Sequence, residues 1–253
     1  MPSLAAVAKR ALGLVDLTDL TDHCTEAAVA SLCKRAVTPH GPVAAICIYP
    51  RFVAFAKPLL AGTAVKIATV VNFPHGGTDT DAVVEETEGA VVAGADEIDL
   101  VFPYQAFADG YHATAEDQIR RVKAAASPAR LKVILETGKL VAPVLIREAA
   151  ELALASGANF IKTSTGKVEV NATPEAARIM LGAIKAAGAT AGFKAAGGVR
   201  TTAEAAAYLN LADEILGPDW ATPATFRFGA SSLLDDLLAT IGGKAAITAK
   251  AAY

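Results

Sequence analysis

Charge is scarce in this chain. Of its 253 residues only 19% are Asp, Glu, Lys or Arg, while 53% are hydrophobic, a balance too apolar for a disordered or solvating protein. Neither sign is in large excess: 23 basic against 26 acidic side chains give a net charge of −3. A nucleic-acid partner, which calls for a basic surface, is therefore not expected. Long apolar runs are missing too, and none approaches the roughly 18 residues a membrane span needs. Lys9 and Arg10 break the apolar start of the chain, so it does not read as a secretory leader. Cysteine is limited to Cys24, Cys33 and Cys47, with no Cys-x-x-Cys spacing, and an odd number cannot pair completely. A reducing, cytoplasmic setting is the simplest expectation. The histidines (His23, His40, His75, His112) lack His-x-x-x-His or carboxylate-linked spacing, so no metal site is expected. Linkers, charge blocks and short repeats are also absent, and residues 1–253 read as a single domain.

What the chain has in abundance is alternation. Short β-rich runs at residues 43–48, 65–71, 97–102, 131–136, 159–163 and 191–194, with weaker ones at 213–217 and 227–229, are separated by Ala/Glu/Lys-rich stretches. Those at 81–94, 114–126, 143–156, 174–187 and 202–209 place apolar residues on one helical face. Thr173-Pro174-Glu175 is a helix start, and Gly94, Gly157 and Gly188 fall where helices should stop. Eight strands with crossover helices predict an α/β fold, a (β/α)8 TIM barrel, with an open doubly wound sheet as the structural alternative. Residues 1–40 then form a helical N-terminal extension, and residues 243–253 a mobile C-terminal tail.

Polar residues interrupt these strands in an unusual way. Asp99 lies between Ile98 and Leu100; Lys132, Ile134 and Glu136 share a face; Lys162 is out of phase with Ile161 and Thr163; Lys194 precedes Ala195-Ala-Gly-Gly198. One mid-strand lysine has an ordinary explanation as a snorkelling side chain. In a closed barrel, however, no edge exists and the outer strand face is covered. Lys162 and Lys194 also fall at strand C-terminal ends, where barrel active sites assemble. Two ammonium groups in one cavity disfavour each other's protonation, the usual way to free a lysine for attack on a carbonyl. Asp99 would hold the second lysine as a cation and relay a proton through water.

Anion-binding signals cluster on the C-terminal loops. Thr163-Ser-Thr-Gly-Lys167 follows one strand, Gly197-Gly198 another, and Phe228-Gly-Ala-Ser-Ser232 leads into a helix that Ser231 or Ser232 would cap. The glycine spacing from Gly192 to Gly197 lacks the Lys-Ser/Thr of a nucleotide loop.

Several of these segments together resemble one family. Phe160-Ile-Lys-Thr-Ser-Thr-Gly-Lys167, Gly192-Phe-Lys-Ala-Ala-Gly-Gly-Val-Arg200, Glu97-Ile-Asp-Leu-Val-Phe102, Ala45-Ile-Cys-Ile-Tyr-Pro-Arg51, Asn72-Phe-Pro-His-Gly76 and Arg227-Phe-Gly-Ala-Ser-Ser232 are similar to the motifs of deoxyribose-phosphate aldolases. The likeness runs from about Asp16 to the end. It implies a class I aldolase that reversibly cleaves 2-deoxy-D-ribose 5-phosphate to D-glyceraldehyde 3-phosphate and acetaldehyde, with no cofactor. By position in the motifs, it implies Lys162 as the Schiff-base lysine, Lys194 as its perturbing neighbour and Asp99 as the proton-relay acid. Gly166, Lys167, Gly197, Gly198, Gly229, Ser231 and Ser232 are the implied phosphate contacts. Asp16, Cys47, Lys132 and Thr165 are implied to line the pocket, and Tyr253 to visit it from the tail. One departure stands out: the family pattern commonly has proline after the second lysine, where this chain has Ala195. The expected partners are a sugar phosphate and small aldehydes, with a homodimer as the assembly entertained. Three other readings use the same residues: a different Schiff-base aldolase or transaldolase, a pyridoxal-phosphate barrel, and a non-catalytic sugar-phosphate binding barrel.

Overall fold

A computed structural model describes residues 3–188 and 190–243. Eight parallel strands close into a barrel: β1 (Val15–Asp19), β2 (Ala45–Ile48), β3 (Lys66–Val71), β4 (Glu97–Val101), β5 (Arg130–Ile134), β6 (Phe160–Lys162), β7 (Gly192–Ala196) and β8 (Phe226–Ala230). Each pairs with its neighbour in sequence, and β1 closes the ring against β8. The main helices are α1 (Leu4–Leu12), α2 (Glu26–Ala36), α3 (Val53–Leu59), α4 (Thr80–Val92), α5 (Tyr104–Ala108), α6 (His112–Ala125), α7 (Thr137–Leu140), α8 (Pro143–Ala155), α9 (Pro174–Ala186), α10 (Thr202–Leu216) and α11 (Leu233–Ile241). Among the described residues no helix is long and apolar enough to cross a membrane.

Strand alternation divides the core in two. Val15, Leu17, Ile46, Ile98, Leu100, Leu131, Val133, Ile161, Phe193, Phe226 and Phe228 point outward and belong to one continuous apolar layer under the helices. The inward face is different. Ala45, Cys47, Ala68 and Val70, with Leu20, make a small separate apolar cluster on the β2–β3 side, whereas the inward positions of the other strands carry charge. Phe160 fills part of the interior against Gly192, where an added Cβ would stand 2.3 Å from the ring; only glycine leaves that space.

Two sequence expectations are corrected here. The first 40 residues are not a purely helical extension: Val15–Asp19 is the first barrel strand, between α1 and α2. Asp16 faces inward and interrupts an apolar run, so the segment reads as polar although Val15 and Leu17 are packed outward. Conversely, residues 213–217 are not a strand but the end of α10 and its stop. Ala205, Tyr208, Leu209 and Ala212 bury one helical stripe, a capping box between Thr201 and Glu204 starts the helix, and Gly217 with φ +99° ends it. The Thr173-Pro174 start is as expected, with the Thr173 hydroxyl accepting from the Ala176 N–H.

Candidate active site

Seven ionisable side chains from six strands meet inside the barrel, none more than 3% exposed. The Asp99 carboxylate is the hub. Its Oδ1 accepts from Lys132 Nζ, and its Oδ2 from both Lys162 Nζ and Lys194 Nζ, each at 2.8 Å. Lys194 also pairs with Asp16 Oδ2 at 2.6 Å, and Lys132 with Glu97 Oε2 at 2.5 Å and Asp16 Oδ2 at 3.6 Å. Arg227 closes the network, donating to Asp16 Oδ1 at 2.6 Å and forking onto Glu97 at 2.7 and 3.0 Å. Strand register makes this possible. Asp99 lies beside Lys132, Lys162 beside Lys194, and Lys194 beside Arg227.

The balance of forces separates the lysines. Burial pushes all three toward neutrality. At Lys194 the pull of Asp16 and Asp99 outweighs burial and holds the ammonium above its ordinary value; at Lys132 Asp99, Glu97 and Asp16 do the same. At Lys162 desolvation dominates, repulsion from Lys194 adds to it, and the attraction of Asp99 does not compensate, so its pKa is lowered. Burial would raise the Asp99 carboxyl, but Lys132, Lys162 and Lys194 together hold it well below the usual carboxylate range. The lysine effect expected from the sequence is thus one-sided: Lys194 keeps its proton and Lys162 loses affinity for it.

Above this cluster lies a cavity of about 610 Å³, lined by Lys162, Thr165, Gly166, Lys167, Gly197, Gly198, Gly229, Ser231 and Ser232 among others. All seven expected phosphate contacts therefore line one cavity. Gly166, Gly197 and Gly198 have φ of +85°, +81° and +89°, a left-handed backbone that turns successive loops around the same space. Ser232 occupies the cap position of α11 and lines the cavity but makes no side-chain cap hydrogen bond, so the N-terminal end of that helix, where an anion is favoured, lies at the cavity. Gly229 has a second reason to be glycine. A Cβ there would stand 2.9 Å from Lys194 Cε and 3.0 Å from Ala196 Cβ.

Not every expected lining residue reaches the cavity. Thr165 does, but Asp16, Cys47 and Lys132 lie fully buried inside the barrel and do not line it. Asp16 and Lys132 are drawn into the ion pairs, and Cys47 packs with Ala45, Ala68 and Val70; burial pushes its thiol pKa up. Ala195 is held in β7 opposite Phe228, so the strand ladder, rather than a proline ring, restrains the backbone beside Lys194. Tyr253 and the rest of the tail beyond Gly243 lie outside the described residues.

Sequence reasoning missed three groups. Arg227 and Glu97 sit within the family-like motifs, and their inward phase, in step with Gly229 and Asp99, is the sequence signal that marks them. Glu136 leaves β5 at φ +50° and turns its carboxylate to accept from the Thr165 hydroxyl at 2.5 Å, while Thr165 Oγ1 accepts from the Lys167 N–H at 3.0 Å. It thereby braces the loop that carries Gly166 and Lys167. The end of β1, the β1–α2 loop and α2 add Thr18, His23, Cys24 and Arg35 to the cavity wall. Among the described residues, no group of three or more His, Cys, Asp or Glu side chains is placed to hold a metal ion.

Comparison with known proteins shows the family. The model of the DeoC/LacD family aldolases matches residues 10–239. A deoxyribose-phosphate aldolase of Agrobacterium fabrum (strain C58 / ATCC 33970) is 53% identical over 244 residues, 96% of this chain and 94% of that protein. An apo structure from Toxoplasma gondii ME49, provisionally named a deoxyribose-phosphate aldolase, is 29% identical with a TM-score of 0.86, covering 96% of this chain and 99% of that one. The deoxyribose phosphate aldolase of Aeropyrum pernix, described as a tetramer, shares the fold with a TM-score of 0.72 at 24% identity, over 95% of this chain and 93% of that one. With a lysine-rich charged barrel interior opening on a glycine- and serine-lined cup, and a family match spanning nearly its whole length, the chain belongs to the DeoC/LacD aldolase family.

Proposed function

We propose that this chain reversibly cleaves 2-deoxy-D-ribose 5-phosphate to D-glyceraldehyde 3-phosphate and acetaldehyde through a Schiff base on Lys162. One observation carries the reading: of the three lysines in the buried cluster, Lys162 alone lines the cavity, and it is the one whose pKa is lowered. An unperturbed lysine is only about 0.04% neutral at pH 7; each unit of depression multiplies the nucleophilic fraction roughly tenfold.

In the synthetic direction, neutral Lys162 Nζ adds to the acetaldehyde carbonyl, and loss of water from the carbinolamine gives an iminium. That cation forms where Asp99 Oδ2 already stands 2.8 Å from Nζ, so the carboxylate stabilises the charge as it develops. The iminium is an electron sink for the methyl carbon. A water oriented by Asp99 and the Lys194 ammonium takes the methyl proton, leaving an enamine. Its carbon attacks the aldehyde of glyceraldehyde 3-phosphate, whose phosphate is held by the Gly166–Lys167, Gly197–Gly198 and Ser231–Ser232 loops. Hydrolysis of the resulting iminium releases the sugar phosphate, and cleavage runs the same steps backward.

Borohydride reduction in the presence of acetaldehyde, followed by peptide mapping, tests the assignment. The adduct is expected on Lys162; an adduct on Lys194 or Lys132 overturns it. A coupled assay of aldehyde release from 2-deoxyribose 5-phosphate tests the substrate, and absence of cleavage with intact phosphate binding would favour a binding protein.

A further inference from the structure

The interior cluster contains four basic groups, Lys132, Lys162, Lys194 and Arg227, against three carboxyl groups, Asp16, Glu97 and Asp99. Fully charged, it would hold one buried cation more than the carboxylates it touches, an expensive state in a water-poor interior. One proton must go, and the contacts decide which. A guanidinium does not release its proton in proteins. Arg227 is also locked in place, with Nε donating to the Pro223 carbonyl at 2.6 Å, its fork on Glu97, and the Phe160 ring 5.6 Å from its Cζ. Lys132 touches three carboxylates and Lys194 two. Lys162 touches a single oxygen, Asp99 Oδ2, and shares it with Lys194.

We infer that Arg227 is a positioning residue for the reaction: by fixing a permanent positive charge on Asp16 and Glu97, it makes Lys162 the uncharged amine of the cluster. The inference rests on the Schiff-base role proposed for Lys162. Arg227 does not line the cavity and acts through its partners. Its charge takes up Asp16 and Glu97, which would otherwise be free to neutralise Lys194 and Lys132; Asp99 would then be left for Lys162. The charged and titratable groups around Lys162 are Asp16 on β1, Cys47 on β2, Glu97 and Asp99 on β4, Lys132 on β5 with Glu136 just beyond it, Lys194 on β7 and Arg227 on β8. The inward side of β3 offers Ala68 and Val70.

The test is the pH dependence of kcat/KM and of acetaldehyde–borohydride trapping in four variants. Arg227→Gln removes the surplus, so the acid limb should move alkaline by about one pH unit, with about tenfold less trapping on that limb. Glu97→Gln enlarges the surplus and should move the limb the other way. Arg227→Lys keeps the charge and should leave the limb in place. The double variant Arg227→Gln/Glu97→Gln restores the one-charge surplus and should return the limb to its wild-type position. A merely structural role predicts lower activity with no opposed shifts. Unshifted limbs in both single variants, or shifts of the same sign, overturn the inference. Should the single variants fail to fold, a displaced limb in the double variant overturns it and a wild-type limb supports it. Mapping of the wild-type adduct separates the two ideas, since an adduct elsewhere than Lys162 removes the proposed function itself.

Discussion

Replacing Lys194 by leucine should move the working pH of the enzyme rather than simply reduce its rate. Lys162 Nζ and Lys194 Nζ each lie 2.8 Å from the same Asp99 oxygen, so the two nitrogens are no farther apart than twice that distance. At roughly 5.6 Å and an effective permittivity of about 20, the repulsion between two unit charges is about 3 kcal/mol, equivalent to about 2 pH units. Leucine also leaves Asp16 and Asp99 with one cation fewer, and this pulls in the same direction. The reactive form of Lys162 is the neutral amine. Raising its pKa therefore moves the acid limb of kcat/KM alkaline by about 2 units or more, with about a hundredfold loss at a pH on that limb and partial recovery near pH 10. The measurement is kcat/KM from pH 6 to 10, with circular dichroism at each end to show that the protein stays folded, since Asp16 and Asp99 each lose one buried partner, although Arg227 and Lys132 still pair with Asp16, and Lys132 and Lys162 with Asp99. An equal deficit at every pH would refute the electrostatic reasoning and leave Lys194 with a role in proton transfer alone.

Three further outcomes are expected. Lys162→Met should abolish borohydride trapping and lower kcat by about a thousandfold or more, while the melting temperature holds or rises because the cluster then has three basic groups for three carboxyls; a persistent adduct would disprove it. Glu136→Ala should raise KM for the phosphorylated sugar by about tenfold, the value of one to two lost hydrogen bonds, with unphosphorylated 2-deoxyribose unaffected; equal losses on both substrates would return Glu136 to a general packing role. Gly192→Ala should destabilise the fold by about 1–3 kcal/mol in urea titrations, because its methyl would collide with the Phe160 ring at 2.3 Å; an unchanged midpoint would show that the ring can yield.

Most of the barrel could be read from alternating segments such as residues 65–71 and 97–102, whose outward residues form an apolar run. What escaped notice was dictated by the site. Val15–Asp19 was hidden because a buried Asp16 looks like a surface residue until its partners, Lys194 and Arg227, are known from two other strands. The false strand at residues 213–217 arose from Ile215 and Leu216, which lie on the partly buried flank of α10 rather than on a pleated sheet. Lys162, Lys194 and Asp99 were legible because a charge at an inward strand position has few benign explanations. The hub arrangement was not, since no local pattern states that one carboxylate oxygen will serve two lysines. The depth of Cys47 and Lys132 was hidden for the same reason: spacing says which face a side chain takes, not how far down the barrel it lies.

The ion-pair lattice also guards the architecture. Sliding β4 past its neighbours by one residue would send Asp99 out into the greasy shell beneath the helices and bring Ile98 or Leu100 against the three lysine nitrogens, leaving Asp16 as the carboxylate for Lys132 and Lys194. The same penalty falls on β1, β5, β6, β7 and β8, each of which carries one prong of the lattice. Wrong alignments are thus rejected by uncompensated charge as well as by poor fit. Any redesign that empties the cavity floor of charge to admit a new substrate would have to supply another way of telling the correct assembly from its shifted competitors.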